Sequence, residues 1–470
     1  MKNVGLYEFI NGRKCAVLGM GVSNLPLVEQ LCEWGVEVTV YDKKNASELG
    51  EAAVRLSEMG VKFVVADGDF LGIEGEVIFR SPGIRPDKKG IAEALGRGAE
   101  LTSEIELVLA LAPTPTYAVT GSDGKTTTTT LTGKFLQAGG EGKVYVGGNI
   151  GTPLLCLCDE MKKEDKTVLE LSSFQLMSCE VSPQRVAITN VSPNHLDWHT
   201  DMDEYVAAKK NIVGERTTRL VTNADCPSTL CLARTLQVPE LYLFSSKRAA
   251  AEVFGLCPEC DVAITLDKNN ITVSDKNGSR AVLSVDDINV PGMHNVENFM
   301  TAIGLTLGDV PAESYRKVAK DFFGVEHRLE FVRELDGVKY YNSSIDSSPT
   351  RTAAALSAMT GKSLVIICGG YDKNLDYAPL GEAICRHGGI RAVILTGATA
   401  EKIGKAVEGY SAEHPTLVYE KSFFDAVSVA RDTARAGDCV VLTPASASFD
   451  AFKNFDERGK TFKRIVNSFG

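Results

Sequence analysis

The fold is decided by the stretch Tyr117-Ala118-Val119-Thr120-Gly121-Ser122-Asp123-Gly124-Lys125-Thr126-Thr127, which predicts a buried strand followed by a tight loop and a helix. Small residues let the backbone N–H groups of the loop point inward, and the helix N-terminus adds a positive field that attracts phosphate. Lys125 can reach the β and γ phosphates of a nucleotide, and Thr126 can ligate Mg²⁺. The spacing is the compact T-G-x-x-G-K-S/T form of the phosphate loop, because Gly121 and Gly124 alone supply its glycines. Residues 121–127 therefore form the predicted ATP site.

Length and composition describe a soluble globular enzyme. The chain has 470 residues, which exceeds one hydrophobic core and suits about three domains. Hydrophobic residues make up 44% of the chain and charged residues 24%, a balance typical of globular rather than disordered or fibrous proteins. The formal net charge of -11, without a basic stripe, argues against nonspecific nucleic-acid binding and leaves anionic ligands to local pockets.

No segment of the sequence indicates secretion or membrane insertion. The N-terminus lacks an apolar signal segment, and no stretch approaches the roughly 18 apolar residues of a membrane span. The 12 cysteines are scattered, many of them within apolar strands and helices, which fits a reducing compartment. Cys257 and Cys260 have metal-ligand spacing, but no second pair stands at a usual distance, so an incidental pair is favoured over a zinc site. We therefore expect a cytoplasmic protein.

The N-terminal part predicts a second phosphate-binding loop. A strand runs into Gly19 and Gly21, an amphipathic helix follows, and a second strand ends at Asp42. The two glycines match the start of a dinucleotide-binding βαβ unit, and Asp42 stands where a ribose hydroxyl is usually met. Asn24 occupies the place of the third glycine. The pattern predicts a Rossmann-like domain that binds a pyrophosphate without requiring a nicotinamide cofactor.

The order of predicted strands and helices divides the chain into three domains of the α/β class. Residues 1–103 form the Rossmann-like domain, residues 104–324 the central domain with the phosphate loop, and residues 325–470 a second Rossmann-like domain. Strands alternate with helices in the last two domains, which is typical of parallel sheets with helical crossovers. Residues 261–290 instead predict a small antiparallel addition, with a hairpin turn at Lys276-Asn277-Gly278.

Charged residues follow two strands of the central domain. Glu170 ends one strand and His195 lies just past another, and both positions fall at the carboxyl edge of a parallel sheet. A carboxylate at this edge can hold Mg²⁺ against a triphosphate together with Thr126. A lone histidine is more often structural, but one at this edge can orient a metal or a phosphate. Lys209 lies in Ala207-Ala208-Lys209-Lys210, and this pattern alone favours a solvated helix face.

Further motifs resemble those of one enzyme family. After the phosphate loop come, in order, Gly148-Asn149-Ile150-Gly151, Glu170-Leu171-Ser172-Ser173-Phe174-Gln175-Leu176, Asn190-Val191-Ser192-Pro193-Asn194-His195-Leu196-Asp197 and Gly292-Met293-His294-Asn295. Through these motifs the whole chain resembles the Mur ligases of peptidoglycan synthesis. The Leu-Ser-Ser-Phe-Gln-Leu run is similar to that of the members that add D-glutamate.

The resemblance implies an ATP-dependent ligase that forms an amide bond and uses Mg²⁺. Its substrates would be UDP-N-acetylmuramoyl-L-alanine and D-glutamate, joined through an acyl phosphate, and we expect a monomer. In this family the lysine matching Lys209 is carbamylated by CO₂, which requires a neutral amine and gives an anion able to bind Mg²⁺. The implied catalytic residues are Lys125, Glu170, His195 and Lys209. The implied metal ligands are Thr126, Glu170, His195 and carbamylated Lys209.

Binding residues for three ligands follow from the same resemblance. For the UDP-sugar they are Ser23, Asp42, Lys43, Ser81, Pro82, Gly83, Asn149 and His195. Asn295 would lie near the adenine of ATP, and Arg328, in the interdomain motif at residues 324–330, would contact the ATP phosphates. For D-glutamate they are Lys373, Ser448 and Phe455. A cation with hydroxyl and N–H donors suits a dicarboxylate.

Two positions depart from the family pattern. The family often shows Asn-Asp-Ser-Lys after the interdomain motif, whereas Asn342 is followed here by Ser343-Ser344-Ile345-Asp346. The acid and the lysine are absent from their expected places, so contacts of this loop with nucleotide and D-glutamate are not carried over. Asp123 stands where asparagine is common, and a carboxylate beside a triphosphate is repelled unless it caps the helix or faces a metal.

Three alternative functions remain open from the sequence. A folate-type polyglutamate ligase shares the compact phosphate loop but does not need a uridine-binding first domain. A dehydrogenase explains Gly19 and Gly21 but leaves the phosphate loop without a role. A catalytically silent protein that binds the sugar nucleotide without turnover is suggested by the altered loop at residues 342–346.

Overall fold

The chain divides into two compact units that together contain three β-sheets. The computed structural model describes residues 4–21, 24–196, 198–373 and 375–470. The first unit comprises Met1–Ile288 and Met293–Asp321, and the second comprises Asn289–Gly292 and Phe322–Gly470. Within the described ranges, no helix combines the length and the apolar character that crossing a bilayer requires.

The first sheet lies in the N-terminal part of the first unit. Its strands are β1 (Cys15–Leu18), β2 (Val38–Asp42), β3 (Lys62–Val65), β4 (Val77–Arg80) and β5 (Glu100–Thr102). They are parallel, in the order β3-β2-β1-β4-β5. The accompanying helices are α1 (Val4–Ile10), α2 (Asn24–Glu33), α3 (Ala46–Leu49), α4 (Glu51–Glu58), α5 (Lys89–Gly96) and α6 (Glu104–Leu111). All residues of β1 and β4 are buried, as expected for central strands covered on both faces.

The second sheet completes the first unit. Its strands are β6 (Thr116–Thr120), β7 (Val144–Gly148), β8 (Lys166–Glu170), β9 (Arg185–Ile188), β10 (Arg219–Asn223), β11 (Glu240–Ser245), β12 (Val262–Asp267), β13 (Asn270–Asp275) and β14 (Gly278–Ser284). The order is β14-β13-β12-β11-β10-β9-β6-β8-β7, in which β13 pairs antiparallel with both of its neighbours and the other strands are parallel.

Seven α-helices and two short 3₁₀ turns are described around this sheet. The helices are α7 (Lys125–Gly139), α8 (Ser173–Leu176), α9 (Met202–Lys210), α10 (Pro227–Thr235), α11 (Ala250–Leu256), α12 (Met293–Thr306) and α13 (Ala312–Asp321). The 3₁₀ turns are Leu155–Glu160 and Val285–Asp287. One buried apolar cluster contains Val17 of β1, Leu109 of α6 and Leu169 of β8. The first two sheets therefore share a continuous core, which is why they form one unit.

The third sheet forms the core of the second unit. Its strands are β15 (Glu330–Leu335), β16 (Val338–Asn342), β17 (Leu364–Gly369), β18 (Ile390–Thr396), β19 (Thr416–Glu420) and β20 (Cys439–Leu442). The order is β15-β16-β20-β17-β18-β19, and the pairing of β15 with β16 is antiparallel. The helices are α14 (Pro349–Ala358), α15 (Ala378–Arg386), α16 (Ala400–Tyr410), α17 (Phe423–Thr433) and α18 (Phe455–Ser468).

The predicted fold class is confirmed, because three largely parallel sheets alternate with helices in the expected order. The hairpin predicted at residues 276–278 joins β13 to β14, with Asp275 paired to Gly278. Gly278 has a φ of 126°, a conformation that favours glycine. The domain boundaries after residues 103 and 324 stay a prediction.

Candidate active site

The phosphate loop connects β6 to α7 and requires both of its glycines. Gly121 has a φ of 147° and Gly124 a φ of 78°. A Cβ at Gly121 would collide with the Thr189 hydroxyl, and one at Gly124 would collide with the Asn298 side-chain amide. The loop thus lies tightly against the connection after β9 and against α12. Its geometry leaves the N-terminus of the 15-residue helix α7 behind the loop, where its positive field acts on a bound phosphate.

Neighbouring elements hold the backbone of this loop in place. The Ser122 hydroxyl donates to the Ser192 carbonyl at 3.0 Å and accepts from the Ser192 N–H at 2.9 Å. It also lies 3.0 Å from the Tyr205 hydroxyl of α9. The Asp123 N–H donates to the Asn190 side chain at 3.0 Å. The loop is therefore preorganised before any phosphate binds.

The departure at Asp123 has an electrostatic context in the structure. The Asp123 side chain acts on Lys209 and on His294, and it raises the pKa of each against the lowering effect of burial. The carboxylate therefore lies near two basic side chains whose pKa values burial lowers, and its negative charge favours their protonated forms.

The Lys125 side chain folds back over the loop. Its ammonium donates to the Gly121 carbonyl at 3.0 Å and to the Ser122 carbonyl at 2.9 Å. Phosphate oxygens are stronger acceptors than peptide carbonyls because they are charged. Thr126, the next residue of α7, is half-buried beside it. The two residues thus open α7 directly after the loop, and their contacts with phosphate and metal stay predictions.

Glu170 presents an incompletely bonded carboxylate beside this loop. It is the last residue of β8, pairs in register with Val119 of β6, and is 2% exposed. Its Oε1 atom accepts from the Asn149 side chain at 2.7 Å. Its Oε2 atom is buried without a hydrogen-bond partner among the described residues. A buried carboxylate oxygen without a partner is costly, and a divalent cation would satisfy it.

The donor set at Glu170 fits Mg²⁺ rather than a softer metal. The structure, over the residues it describes, brings together no group of three or more His, Cys, Asp and Glu side chains that could hold a metal ion. Mg²⁺ is usually bound by one or two carboxylates together with substrate phosphates and water, so it needs no larger cluster. Glu170 and the Thr126 hydroxyl supply oxygen ligands of the required kind.

Lys209 lies inside the site, so the solvated position that its local sequence favours is wrong. Its side chain is 1% exposed, whereas that of Lys210 is exposed. The Lys209 Nζ atom donates to the Gly121 carbonyl at 2.7 Å and lies 4.4 Å from the centre of the Tyr205 ring. Burial, together with the nearby charge of Lys125, lowers the pKa of Lys209 to about 6. The amine is therefore largely neutral at pH 7.

His195 stands on the loop after β9. Its side chain is exposed and its φ is 55°. Its ring meets the Phe174 ring edge to face, with centroids 5.0 Å apart. Phe174 belongs to α8, which begins three residues after Glu170, so the segment after β8 contacts the loop after β9.

Of the predicted sugar-nucleotide residues, Asp42, Lys43 and residues 81–83 lie at the carboxyl edge of the first sheet, whereas Asn149 and His195 follow strands of the second sheet. The Asp42 carboxylate accepts from the Met20 N–H at 2.8 Å, so it holds the glycine loop. The Asn24 side chain donates to the Gly19 carbonyl at 2.8 Å, which gives the residue in the third-glycine position a structural role. The Ser81 N–H donates to the Leu18 carbonyl at 2.9 Å. Lys43 is exposed, and Ser23 lies outside the described residues.

Residues that the sequence did not single out attach this edge to the second sheet. The buried Arg80 guanidinium donates to the Pro82 carbonyl at 3.2 Å and to the Phe174 carbonyl at 2.9 Å. The Trp198 indole donates to the Gly83 carbonyl at 3.3 Å. The sequence signal that could have pointed to Arg80 is its position as the last residue of an otherwise apolar strand. These bonds place the loop at residues 81–83 beside the loops that carry His195 and Phe174.

Asn295 lies on α12, next to the phosphate loop. Its side-chain oxygen accepts from the Asn298 amide at 3.2 Å, and the Asn298 oxygen accepts from the Thr128 hydroxyl of α7 at 3.2 Å. The predicted adenine contact is therefore held by the same helix that packs against the loop.

The second unit brings the predicted D-glutamate residues to the carboxyl edge of its own sheet. Lys373 follows β17, and its ammonium lies 5.6 Å from the centre of the Phe449 ring. Ser448 follows β20 and is buried, whereas Phe455 opens α18 and is exposed. Arg458, which sequence reasoning missed, donates to the Ala447 carbonyl at 3.1 Å. It thereby fixes the loop that carries Ser448.

The altered loop at residues 342–346 belongs to this same edge. The Arg458 guanidinium donates to the Ser344 carbonyl at 2.9 Å. The Asp346 carboxylate accepts from the Thr443 hydroxyl at 3.0 Å, and burial raises the pKa of Asp346 to about 6. The positive charge of Arg328 partly offsets that rise in pKa, so Arg328 lies close enough to act electrostatically on the Asp346 carboxylate. The loop thus retains an acid near Arg328, three positions after Ser343.

Comparison with known proteins gives one family across the two units. A family model described as the Mur ligase middle domain matches residues 119–306, and one described as the Mur ligase glutamate ligase domain matches residues 327–446. The chain is 41% identical over 467 residues to the UDP-N-acetylmuramoylalanine--D-glutamate ligase of Ruminiclostridium cellulolyticum, covering 98% of this chain and 97% of that protein. It is 44% identical over 468 residues to the protein of the same name from Clostridium novyi, covering 98% of each.

Solved structures agree on the fold. The UDP-N-acetylmuramate-alanine ligase of Thermotoga maritima superimposes with a TM-score of 0.55 at 16% identity, covering 97% of this chain and 99% of that one. A UDP-N-acetylmuramoyl-L-alanyl-D-glutamate--2,6-diaminopimelate ligase superimposes with a TM-score of 0.53 at 18% identity, covering 92% of each chain. At these identities the similarity concerns the fold alone.

Proposed function

The chain belongs to the Mur ligase family and is an ATP-dependent ligase that forms amide bonds, and from this premise we propose that it joins D-glutamate to UDP-N-acetylmuramoyl-L-alanine in peptidoglycan precursor synthesis. The observation that carries the chemistry is the juxtaposition of Lys125, the phosphate loop and the unsatisfied Glu170 oxygen at one sheet edge. The relatives' names support the choice of substrates.

The proposed reaction has two steps. The carboxylate of the muramoyl-alanine attacks the γ phosphorus of ATP, which gives an acyl phosphate and releases ADP. The amine of D-glutamate then attacks the acyl carbon, loses a proton, and expels inorganic phosphate from a tetrahedral intermediate. The Lys125 ammonium offsets the negative charge that develops on the phosphoryl oxygens, and the loop N–H groups orient them. Bound Mg²⁺, held by Glu170 and Thr126, would supply further charge neutralisation.

The sugar nucleotide is proposed to bind along the edge of the first sheet. The loop at Ser81-Pro82-Gly83 and the glycine loop offer backbone N–H and hydroxyl groups, and Lys43 offers a cation. Asp42 retains acceptor capacity for a hydroxyl beyond the two N–H bonds it accepts, from Met20 and Lys44. Asn149 and His195 would face the carboxylate that is activated. Arg80 and Trp198 support this placement, because they hold residues 81–83 beside the second sheet.

D-Glutamate is proposed to bind in the second unit. The Lys373 ammonium would pair with a carboxylate, and Ser448 with the neighbouring backbone would donate hydrogen bonds. Arg328 is proposed to reach the ATP phosphates when all substrates are bound, and Asn295 to lie by the adenine. An enclosed site would protect the acyl phosphate from water. We also propose a monomer in the cytoplasm, where nucleotide-linked precursors are made.

Lys209 is proposed to carry a carbamate. Its neutral amine would add to the carbon of CO₂ and release a proton, which leaves an anionic carbamate able to bind Mg²⁺. The buried position beside Lys125 supports this, because a nearby cation stabilises the anion.

Carbon-13-labelled bicarbonate is expected to give a carbamate signal at Lys209 by NMR down to about pH 6, because its pKa is lowered to about 6 and its amine is neutral above that pH. An exposed lysine keeps its proton until about pH 10. Lys209→Met should remove the signal, whereas the matched control Lys210→Met should retain it. A signal that survives in Lys209→Met would contradict the proposal.

Phosphate release tests the proposed function. We expect purified protein with ATP, Mg²⁺ and UDP-N-acetylmuramoyl-L-alanine to release phosphate with D-glutamate, and at most about 1% of that rate with L-glutamate, L-lysine or no amino acid. Release that depends on a folate substrate would favour the polyglutamate ligase, and reduction of a nicotinamide cofactor would favour a dehydrogenase. Binding of the sugar nucleotide without release would indicate a silent binding protein and direct attention to residues 343–345.

A further inference from the structure

His199 is a buried histidine that packs among aromatic side chains of the first unit and bonds to polar groups through both ring nitrogens. Its side chain is 2% exposed. Its Nδ1 atom lies 3.1 Å from the Glu204 carboxylate, and its Nε2 atom lies 2.9 Å from the Ser173 hydroxyl. Since a carboxylate accepts, Nδ1 carries the proton, and Nε2 accepts from the serine. Both ring nitrogens are therefore engaged.

Each of these two partners belongs to a different part of the site. Ser173 opens α8, three residues after Glu170. Glu204 lies on α9 and forms an ion pair with Arg85 at 2.8 Å. Arg85 follows the loop at residues 81–83, and it also donates to the Trp198 carbonyl at 2.7 Å. The histidine thus connects the loop after Glu170 to the edge where the sugar nucleotide is proposed to bind.

The ring of His199 makes a third connection, to the phosphate loop. It stacks on Phe174, with centroids 5.7 Å apart and an interplanar angle of 22°. It also meets the Tyr205 ring edge to face at 5.1 Å. Tyr205 in turn contacts Ser122 of the phosphate loop and lies beneath Lys209. His199 therefore contacts residues next to three parts of the site: the segment after Glu170, the loop at residues 81–83 and the phosphate loop.

The hydrogen-bonded series Ser173–His199–Glu204 has the composition of a hydrolytic triad, but burial of the serine excludes this role. The Ser173 side chain is 2% exposed, so a scissile carbonyl has no access to its hydroxyl. The arrangement fits a fixed support better than a nucleophile.

We propose that His199 is a positioning residue of the ligase reaction, which holds the loop after Glu170 in register with the sugar-nucleotide edge and the phosphate loop. The inference rests on the proposed function and deepens it. Alignment of the substrate carboxylate with the γ phosphate depends on these three loops together. Displacements of about 1 Å at such a site can cost about 100-fold in rate.

Three variants separate the two hydrogen bonds from the ring. His199→Phe keeps the aromatic stack and loses both bonds, and it is expected to lower kcat by about 30-fold to 100-fold with the KM for ATP within about threefold of wild type. His199→Gln can still reach Ser173 and should regain most of the lost kcat. His199→Asn can reach only Glu204 and should regain less. His414→Phe, at an exposed histidine of the second unit, is the matched control and should leave kcat unchanged.

A double-mutant cycle with Ser173→Ala tests the connection itself. Coupled residues predict that the double variant loses no more kcat than the worse single variant, whereas independent residues predict the product of the two losses. The product would overturn the proposal. If His199→Phe does not fold, Ser173→Ala must still lower kcat by about tenfold at unchanged KM for ATP. A normal kcat in that variant would also overturn it.

A purely structural role gives a different result from positioning. It predicts a lower thermal midpoint and fewer active molecules in the His199 variants. The kcat per folded molecule would then be the same for phenylalanine, glutamine and asparagine at this position. Wild-type protein without D-glutamate-dependent release would overturn the proposed function and this inference together. An active wild type with an equally active His199→Phe would overturn the inference alone.

Discussion

Lys125→Ala is expected to lower kcat by about 1,000-fold or more. The Lys125 ammonium already bonds to two carbonyls of the phosphate loop, at 3.0 and 2.9 Å, so it stands within reach of any phosphate that the loop binds. Without it, the charge that develops on the transferred phosphoryl group loses a direct cationic partner. The measurement is D-glutamate-dependent phosphate release at saturating substrates.

The control for Lys125→Ala lies on the same helix. Lys134 is exposed on α7, so Lys134→Ala removes an equal charge from the helix without touching the loop. It should leave kcat within about twofold of wild type, since exposed charges contribute little. Binding of UDP-N-acetylmuramoyl-L-alanine to Lys125→Ala should also remain, because Lys125 is not among the residues assigned to that ligand and its nucleotide part is assigned to the first sheet. Normal turnover by Lys125→Ala would refute the assigned mechanism.

Glu170→Gln is expected to lower kcat by about 100-fold or more and to raise the Mg²⁺ concentration needed for half-maximal rate. Glutamine keeps the size of the side chain and can still accept from Asn149, but it is a poor Mg²⁺ ligand. The same change removes a buried charge whose second oxygen lacks a hydrogen-bond partner among the described residues. In metal-free buffer the thermal midpoint should therefore be unchanged or higher.

Opposite effects on rate and stability distinguish a metal ligand from a structural acid. The matched control is Glu164→Gln, at an exposed carboxylate just before β8, which should change neither quantity. Loss of activity in Glu170→Gln together with a lower thermal midpoint would assign the carboxylate to folding instead. Full activity at low Mg²⁺ would exclude it as a ligand.

The phosphate loop was predictable because its requirements are local. The left-handed conformation at position 124 and the close packing at position 121 both require glycine, and the spacing of these two glycines identifies the motif in the sequence. The alternation of strands and helices was predictable for a similar reason, since period and turn residues reflect the backbone.

The position of Lys209 was not predictable from local pattern, because it depends on how α9 packs. Tyr205 and Lys209 stand four residues apart and share the face that meets the phosphate loop, whereas Lys210 points outward. Two adjacent lysines give no sign of this difference. The resemblance to a family pointed to Lys209 for another reason, its proposed carbamate, and its burial emerged only from the fold.

His199 and Arg458 escaped sequence reasoning for a related cause. Each connects segments far apart in the chain, and such long-range hydrogen bonds leave no periodic signal. His199 joins α8 to α9, and Arg458 joins the loop at residues 342–346 to the one at residues 445–448.

The third sheet has a consequence for how this chain can vary over evolutionary time. Lys373 and Ser448 lie beyond the ends of β17 and β20, and the altered stretch Ser343-Ser344-Ile345 lies beyond the end of β16. None of them belongs to a strand, although the Ser343 N–H donates to the Leu442 carbonyl at 2.8 Å and extends the pairing of β16 with β20 by one bond. That bond uses the backbone and does not depend on the side chain at position 343. Substitutions in these connections can therefore change recognition while the scaffold is inherited intact. The relocated acid at Asp346 is an example, since the pairing of β16 with β15 and β20 continues through Asn342.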